Sequence, residues 1–470
     1  MYLCDIMPTI TRKIELHISK DGLSAEDYDA QWKYLRQIND NLYKAANRAS
    51  SHCFLNDEYK HRLCLQIPEY IDIEKHLKDS KKSKLSKAEL GQLKNRKKEL
   101  EDSVKERFQE EFEKNSLYRI LSKEFGEMIP GQILTCLKQI VQKDYNTARI
   151  ELKKGERVIS SYKKGMPIPF PINKSIHLQK QGEDFVLKWY NKVFFKLHFG
   201  RDRSNNRVIV ERLIQSALNK KPKGEDYVMN NSSIQLVEKD KMTKIFLLLS
   251  IDIPIQKRKL DPELVLGVDL GINYPIYYAT NDSEYIKGHI GDKNRFLNER
   301  MVFQRRFKEL QRLQCTQGGK GRKKKLEALE KLREKERNWV KTKNHIFSRE
   351  VIKCALKVGA GTIHLEKLTN IGRENNGDVI DDKKFILRNW SYYELQTMIE
   401  YKAKIEGIKV EYVNPAYTSQ RCSCCGEMGE RKEQAVFKCL NSSCSEYLKE
   451  INADYNAARN IAKSKDIVKK

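Results

Sequence analysis

Leu264-Val265-Leu266-Gly267-Val268-Asp269-Leu270-Gly271 reads as a short buried strand that ends on an acid. Side chains alternate along a strand, so Asp269 shares a face with Val265 and Gly267. Glycine beside the acid removes a side chain and leaves room for a metal and a phosphate. By itself Asp269 fits equally well as a turn cap before Gly271. A second strand, Gly361-Thr362-Ile363-His364-Leu365-Glu366, also ends on an acid, with His364 and Thr362 on the same face. Alone, Glu366 could be an ordinary strand-end glutamate. A third acid opens a helix. Asn452 can cap it, which puts Asp454 in the first turn, where the helix dipole favours the ionised form. Asp454, Ala457, Ala458 and Ile461 share a helix face, and two alanines there let the helix approach a sheet closely.

Three carboxylates on two strands and one helix suit Mg²⁺, a hard cation held by a few carboxylates plus phosphate oxygens. Two such ions about 4 Å apart activate a water and stabilise the leaving oxygen of a phosphodiester. A lysine or histidine could not stand in, because a cation would repel the metal. The set together points to a nuclease.

The charge agrees. Among 470 residues, 90 Lys and Arg outnumber 64 Asp and Glu, a net charge of +26. That excess attracts polyanions and drives counterion release from phosphate backbones. On charge alone, a ribosomal-type or membrane-surface protein would fit as well. The longest apolar stretch, 245–255, is short and broken by Ser250 and Asp252, too little for a membrane span. Residues 1–10 lack the basic-then-apolar order of a signal peptide. The expected location is the cytoplasm, with reduced cysteines. The length predicts two to four domains.

Of the 11 cysteines, Cys4, Cys53, Cys64, Cys136, Cys315 and Cys354 are scattered and read as packing or surface residues. The others cluster. Cys422 and Cys425 form a CxxC pair followed by Gly426, and Cys439 and Cys444 have four residues between them. This spacing predicts a four-thiolate zinc site, structural because no position stays open for water. Cys424, adjacent to Cys425, is badly placed for the same ion and reads as spare. A redox dithiol or unrelated cysteines are the alternatives.

Outward from these motifs, residues 9–19 alternate as a half-buried strand, and 24–156 read as charged helices, with Leu35, Ile38 and Leu42 at helical steps. The Lys/Glu-rich run 78–105 reads as a solvated helical hairpin. Pro167-Ile168-Pro169-Phe170-Pro171 marks a change of domain or sheet. Strands are predicted at 175–178, 184–190, 193–199, 233–237 and 244–251. A strand, inserted helices and more strands read as a small β-barrel interrupted by a helical domain. Beyond residue 260 the pattern gives strands 264–269 and 275–280, then a charged helical hairpin over 294–358. Its glycine-lysine tip, 317–325, suits phosphate contact. A polar loop 370–382, a helix near 391–406 and a strand 409–413 follow.

Four stretches together resemble a known family. They are Gly267-Val268-Asp269-Leu270-Gly271, Ile363-His364-Leu365-Glu366-Lys367-Leu368, Pro415-Ala416-Tyr417-Thr418-Ser419-Gln420-Arg421-Cys422, and Asn452-Ala453-Asp454-Tyr455-Asn456-Ala457-Ala458-Arg459-Asn460. The resemblance is to the miniature type V-F CRISPR-associated nucleases and to their relatives, the transposon-encoded TnpB nucleases, and it covers roughly 264–462. It implies a multidomain α+β chain. An N-terminal wedge β-barrel (1–23 and 157–259) would be interrupted by a helical recognition domain (24–156). A RuvC nuclease of RNase H-like fold (260–415 and 451–470) would carry an inserted zinc-ribbon, target-nucleic-acid-binding domain (416–450). Asp269, Glu366 and Asp454 would hold two catalytic Mg²⁺ ions, and Cys422, Cys425, Cys439 and Cys444 one Zn²⁺. Arg431 matches an arginine that the family places near the scissile strand.

The implied activity is RNA-guided DNA cleavage. A bound guide RNA pairs with target DNA beside a T-rich flanking motif, and an R-loop opens. The implied partners are guide RNA, double- and single-stranded target DNA, and a second copy of the chain on the same guide. One departure is visible: the second cysteine pair is longer than the family's CxxC, and Ser445 stands where glycine often follows. Alternatives are a transposon-encoded nuclease, against which the large helical insertion counts, and a non-cleaving guided DNA-binding protein. Gly-Val-Asp-Leu-Gly also resembles the first phosphate loop of actin-like ATPases, but no glycine-rich nucleotide loop follows near Glu366 or Asp454.

Overall fold

The computed structural model describes residues 7–79, 86–171, 176–190, 192–202, 204–219, 226–239, 242–271, 274–316, 322–368, 392–433 and 435–468. The fold is mixed α/β and divides into two compact units, Thr9–Asp252 and a second made of Ile253–Lys470 with Met1–Pro8.

In the first unit β1 (Thr9–Ile18) runs through the middle of an eight-stranded antiparallel sheet. Its partners arrive late in sequence: β2 (Ile168–Phe170), β3 (Ile176–Gln181), β4 (Asp184–Trp189), β5 (Val193–His198), β6 (Val228–Met229), β7 (Ser232–Lys239) and β8 (Met242–Asp252). The order is β2-β7-β8-β1-β5-β4-β3, with β6 on β8. Ile14, Leu16 and Ile18 of β1 and Ile245, Leu247, Leu249 and Ile251 of β8 are buried, the period-two pattern of a sheet with one packed face.

Between β1 and β2 the chain forms helices α1 (Ala25–Cys64), α2 (Pro68–Asp79), α3 (Lys87–Arg107), α4 (Gln109–Lys114), α5 (Leu117–Phe125) and α6 (Gly131–Lys153). Ser24 caps α1, its hydroxyl accepting from the Asp27 N–H at 3.1 Å. Leu35, Ile38 and Leu42 are fully buried, as their spacing predicts. A further helix, α7 (Asn206–Asn219), was not legible in the sequence. The Asp202 carboxylate starts it by accepting from the N–H groups of Asn206 and Arg207 at 2.7 and 2.9 Å.

The second unit is built on a six-stranded sheet of order β11-β10-β9-β12-β13-β17. Its strands are β9 (Asp261–Asp269), β10 (Ile276–Thr280), β11 (Lys287–Ile290), β12 (Ala360–Glu366), β13 (Lys409–Val413) and β17 (Ile467–Val468). β12 lies between β9 and β13, parallel to both, and the other pairs are antiparallel. Alternation gives the sheet two different faces. Leu266, Val268, Ile363 and Leu365 pack under α8 (Lys293–Thr316), α9 (Arg322–Val358) and α10 (Tyr392–Ile405), meeting Phe296, Phe347, Val351, Leu395 and Ile399. Gly267, Asp269, His364 and Glu366 face the other way, toward α11 (Ala453–Lys463). A small sheet of β14 (Gly429–Glu433), β15 (Val436–Cys439) and β16 (Glu450–Asn452) precedes α11.

Residues 317–321 of the cationic tip and the polar loop 370–382 lie outside the described residues. Among the described residues no helix is long and apolar enough to cross a membrane.

Candidate active site and cysteine knuckle

The sheet brings two of the three acids side by side. Leu365 pairs with Val268 in the parallel β9–β12 ladder, so the next residues, Glu366 and Asp269, end neighbouring strands together. The third arrives on α11. A Cβ built on Gly267 would lie 2.2 Å from the carbonyl oxygen of Ala458 and 2.4 Å from the amide nitrogen of Ala462. The helix backbone therefore lies directly on the strand, which only glycine permits at that point. Asp454 lies one helical turn before Ala458, and it is buried to 7% exposure. Asn452 caps the helix, its side-chain oxygen accepting from the Tyr455 N–H at 2.9 Å. Beneath the helix the His364 ring bridges the Ile461 carbonyl at 3.0 Å and the Glu411 carboxylate at 3.2 Å, tying α11 to β12 and β13.

The other two acids act on Asp269. Burial pushes the Asp269 carboxyl well above the ordinary carboxylate range, and the charges of Glu366 and Asp454 push it further. Arg431 and the Leu270 N–H pull the other way. Burial also raises Glu366, opposed by a hydrogen bond from the Thr418 hydroxyl. Arg431, on β14, lies 3.9 Å from an Asp454 oxygen. Tyr392, at the start of α10, is raised by its own burial and then by Asp269. Asp269 and Glu366 end neighbouring strands, the charge of Asp454 also acts on Asp269, and Arg431 lies beside Asp454, so the repulsion at Asp269 is what a divalent ion would relieve.

The cysteines form a second centre. One Sγ from each of Cys422, Cys425, Cys439 and Cys444 lies within 4.8 Å of all the others. The Cys422–Cys444 and Cys425–Cys439 separations are 3.9 and 3.6 Å. A tetrahedral zinc with Zn–S bonds of about 2.3 Å spaces its sulfurs by ~3.8 Å, so the donor set fits that ion. Gly426 takes φ +80° to turn the first knuckle, and its N–H donates to the Cys422 carbonyl at 2.8 Å. In the second, Ser445 is no obstacle: the Glu446 N–H still points at the Cys444 sulfur at 3.4 Å, and Leu448 supplies the positive φ. Cys424 is exposed, lies outside the cluster and contacts Ser445 instead.

Several functional contacts were invisible in the sequence. Thr418 and Arg421 belong to a quoted motif, yet no pattern showed what they touch. Asn456 of α11 accepts from the Ser423 N–H at 2.8 Å and donates to the Arg421 carbonyl at 2.7 Å. Asn460 donates to the Thr418 and Arg421 carbonyls at 2.8 and 2.7 Å, and Lys463 donates to the Ser423 carbonyl at 2.9 Å. The segment entering the knuckle is thereby fastened along the helix that carries Asp454. Four polar residues at Asn452, Asn456, Asn460 and Lys463 form an i, i+4, i+8 row with a near neighbour, a signal that could have been read.

The chain is similar to known proteins. The family profile of the Cas12f1-like TNB domain matches residues 392–461. A CRISPR-associated endodeoxyribonuclease Cas12f1 from Sulfoacidibacillus thermotolerans is 35% identical over 319 residues, 66% of this chain and 72% of the relative. Another Cas12f1, from Syntrophomonas palmitatica, is 35% identical over 294 residues, 55% of each chain. The fold matches that of a Cas12f1 solved by cryo-electron microscopy with its sgRNA and target DNA, at a TM-score of 0.62 and 20% identity over 98% of this chain and 100% of that one. The class these relatives define is the CRISPR-associated endodeoxyribonucleases. This chain belongs to the Cas12f1 family within it, the miniature type V-F effectors.

Proposed function

We propose that this chain is an RNA-guided endodeoxyribonuclease whose single RuvC site, formed by Asp269, Glu366 and Asp454, hydrolyses phosphodiester bonds with two Mg²⁺ ions. The observation that carries this reading is that two parallel strands end side by side on Asp269 and Glu366, with Asp454 near enough on the overlying helix for its charge to act on Asp269. Bound there, Mg²⁺ would activate a water and stabilise the leaving oxygen. The chain's own residues do the rest. Asp269, Glu366 and Asp454 supply the negative oxygens, and Thr418 orients the Glu366 carboxylate. Gly267 lets the helix that carries Asp454 lie on the strand, Gly271 keeps a side chain away from Asp269, and Arg431 offers its guanidinium to the scissile strand beside Asp454. Cys422, Cys425, Cys439 and Cys444 would hold one structural Zn²⁺.

The order β11-β10-β9-β12-β13, antiparallel then parallel, supports an RNase H-like nuclease over 260–415 and 451–470, with 416–450 inserted as the target-nucleic-acid-binding zinc ribbon. An eight-stranded sheet interrupted by helices supports a wedge barrel (1–23 and 157–259) and a recognition domain (24–156). The partners that fit are guide RNA and target DNA, with base pairing reading the sequence and a net charge of +26 holding the backbones. A cytoplasmic homodimer on one guide RNA completes the reading.

The test is Asp269→Ala in the guide complex with matching DNA and Mg²⁺. Target binding is expected to persist while cleavage falls by orders of magnitude, because a lost metal ligand removes several kcal/mol of transition-state stabilisation. Undiminished cutting by this variant would refute the assignment.

A further inference from the structure

We propose that Tyr274, Tyr277 and His289 form a stacking platform for an unpaired base of the DNA strand entering the acid site. The proposal rests on the nuclease reading above and adds a substrate-binding surface to it. It starts from register. His289 pairs with Tyr277, and Tyr277 pairs with Asp269, so the three side chains form one row across β11, β10 and β9 on the face that carries the acids. The row one step back is covered by α11. There, Lys287 lies over the Tyr455 ring at 4.2 Å, Ala279 packs with Tyr455 and Ala458, and Gly267 meets the Ala458 backbone. Tyr277 packs at the edge of that cluster, half-buried, and His289 beside it stays exposed.

Tyr274 completes the platform from the turn before β10. Its ring centroid is 4.4 Å from that of His289 and 6.0 Å from that of Tyr277. His289 is exposed, while Tyr274 and Tyr277 are half-buried. A Cβ on Gly271 would sit 3.1 Å from the Tyr274 carbonyl and 3.9 Å from an Asp269 oxygen. The acids thus have a guanidinium, Arg431, near one edge and aromatic faces along the row at the other.

A single DNA strand carries both complements, an anionic backbone and flat bases, and a protein ring can stack only on a base whose face is free. A paired duplex presents no such face. Continuity with the acids commits the occupant: the base next to the phosphate held there. Base–aromatic stacking of this kind is sequence-tolerant, as a guided nuclease requires.

The experiment places 2-aminopurine at successive positions of the single-stranded DNA segment in the guide–protein–target complex, without added Mg²⁺, and reads fluorescence. A position flanking the wild-type cut should be quenched. Tyr277→Leu and His289→Ala should each relieve the quenching and weaken retention of the single strand on the order of tenfold, within the usual contribution of one stacked base. The conservative Tyr277→Phe should restore both. His289 is an exposed edge-strand residue, so its variant reads the platform without a folding burden. Quenching that survives both ring-removing variants, or appears at no position near the cut, overturns the platform while leaving the nuclease intact. Quenching that depends on the rings in a protein unable to cut would keep the platform and remove the nuclease reading.

Discussion

The hydroxyl of Thr418 donates to the carboxylate of Glu366, so the loop that enters the cysteine knuckle touches one of the three acids directly. The Thr418 carbonyl is in turn held by Asn460 of α11. Thr418→Val keeps the shape and removes the donor. Cleavage is expected to fall by about tenfold, the loss of one hydrogen bond to a charged group, with half-saturation shifting to higher Mg²⁺. Thr418→Ser should recover most of it. Mg²⁺ titrations of cleavage rate by all three proteins decide the matter, and an unshifted titration for the valine variant counts against a positioning role.

The raised carboxyls make metal-free stability depend on pH in a definite direction. Asp269 and Glu366 titrate above their unfolded values, so folding favours their protonated forms. Their contribution is present in full below about pH 4, the unfolded carboxylate range, and is lost as pH rises through the folded values. Without divalent ions, Asp269→Asn should therefore be more stable than the wild type near neutrality. The gap should close in acid. Added Mg²⁺ should raise the wild-type Tm and barely move the variant, by mass action on the bound form. Thermal melts across pH, with and without Mg²⁺, test the sign.

The four-sulfur cluster separates Cys424 from its neighbours. Cys424→Ser should keep one zinc per chain, and Cys439→Ser should lose it. Cleavage by the second variant should fall even though no acid has changed, because Asn456, Asn460 and Lys463 fasten the knuckle segment to the helix bearing Asp454. Elemental analysis of the purified variants gives the metal content; equal zinc in both would dissolve the assignment.

Gly267→Ala tests the close approach of helix and strand. The added methyl would meet backbone atoms of Ala458 and Ala462, which cannot rotate away. Destabilisation of about 1–3 kcal/mol is expected from such overpacking, together with a loss of cleavage as Asp454 is displaced. Gly91, with nothing within 4 Å of an added Cβ and no positive φ, is the contrast for crowding alone. A Gly267→Ala protein with unchanged melting and cutting would show that the contact is looser than the backbone indicates.

The acids were legible because each sits where a local rule puts it. Asp269 and Glu366 end apolar runs, and Asp454 follows a capping asparagine, as the observed hydrogen bond to Tyr455 bears out. The strands of the first unit were legible too, through alternation such as that of β1 and β8. Short polar strands were not. Lys287–Ile290 and Glu450–Asn452 carry too few apolar residues to show a period, and pairing partners alone make them strands. The helix Asn206–Asn219 carries three β-branched residues near its start, Val208, Ile209 and Val210, which do not favour a helix on their own. Contacts such as Thr418 with Glu366, or His364 with Ile461, join residues far apart in the chain, and no local pattern encodes them.

Between Leu368 and Tyr392 the chain passes from the strand that delivers Glu366 to the helix and strand that lead to Asp454. Severing it in that interval would leave two of the acids on one polypeptide and the last on another. Neither fragment could cut by itself, and activity would return only when the pieces reassociate. The protein could thus be divided into two dormant halves whose reunion is reported by a broken DNA strand.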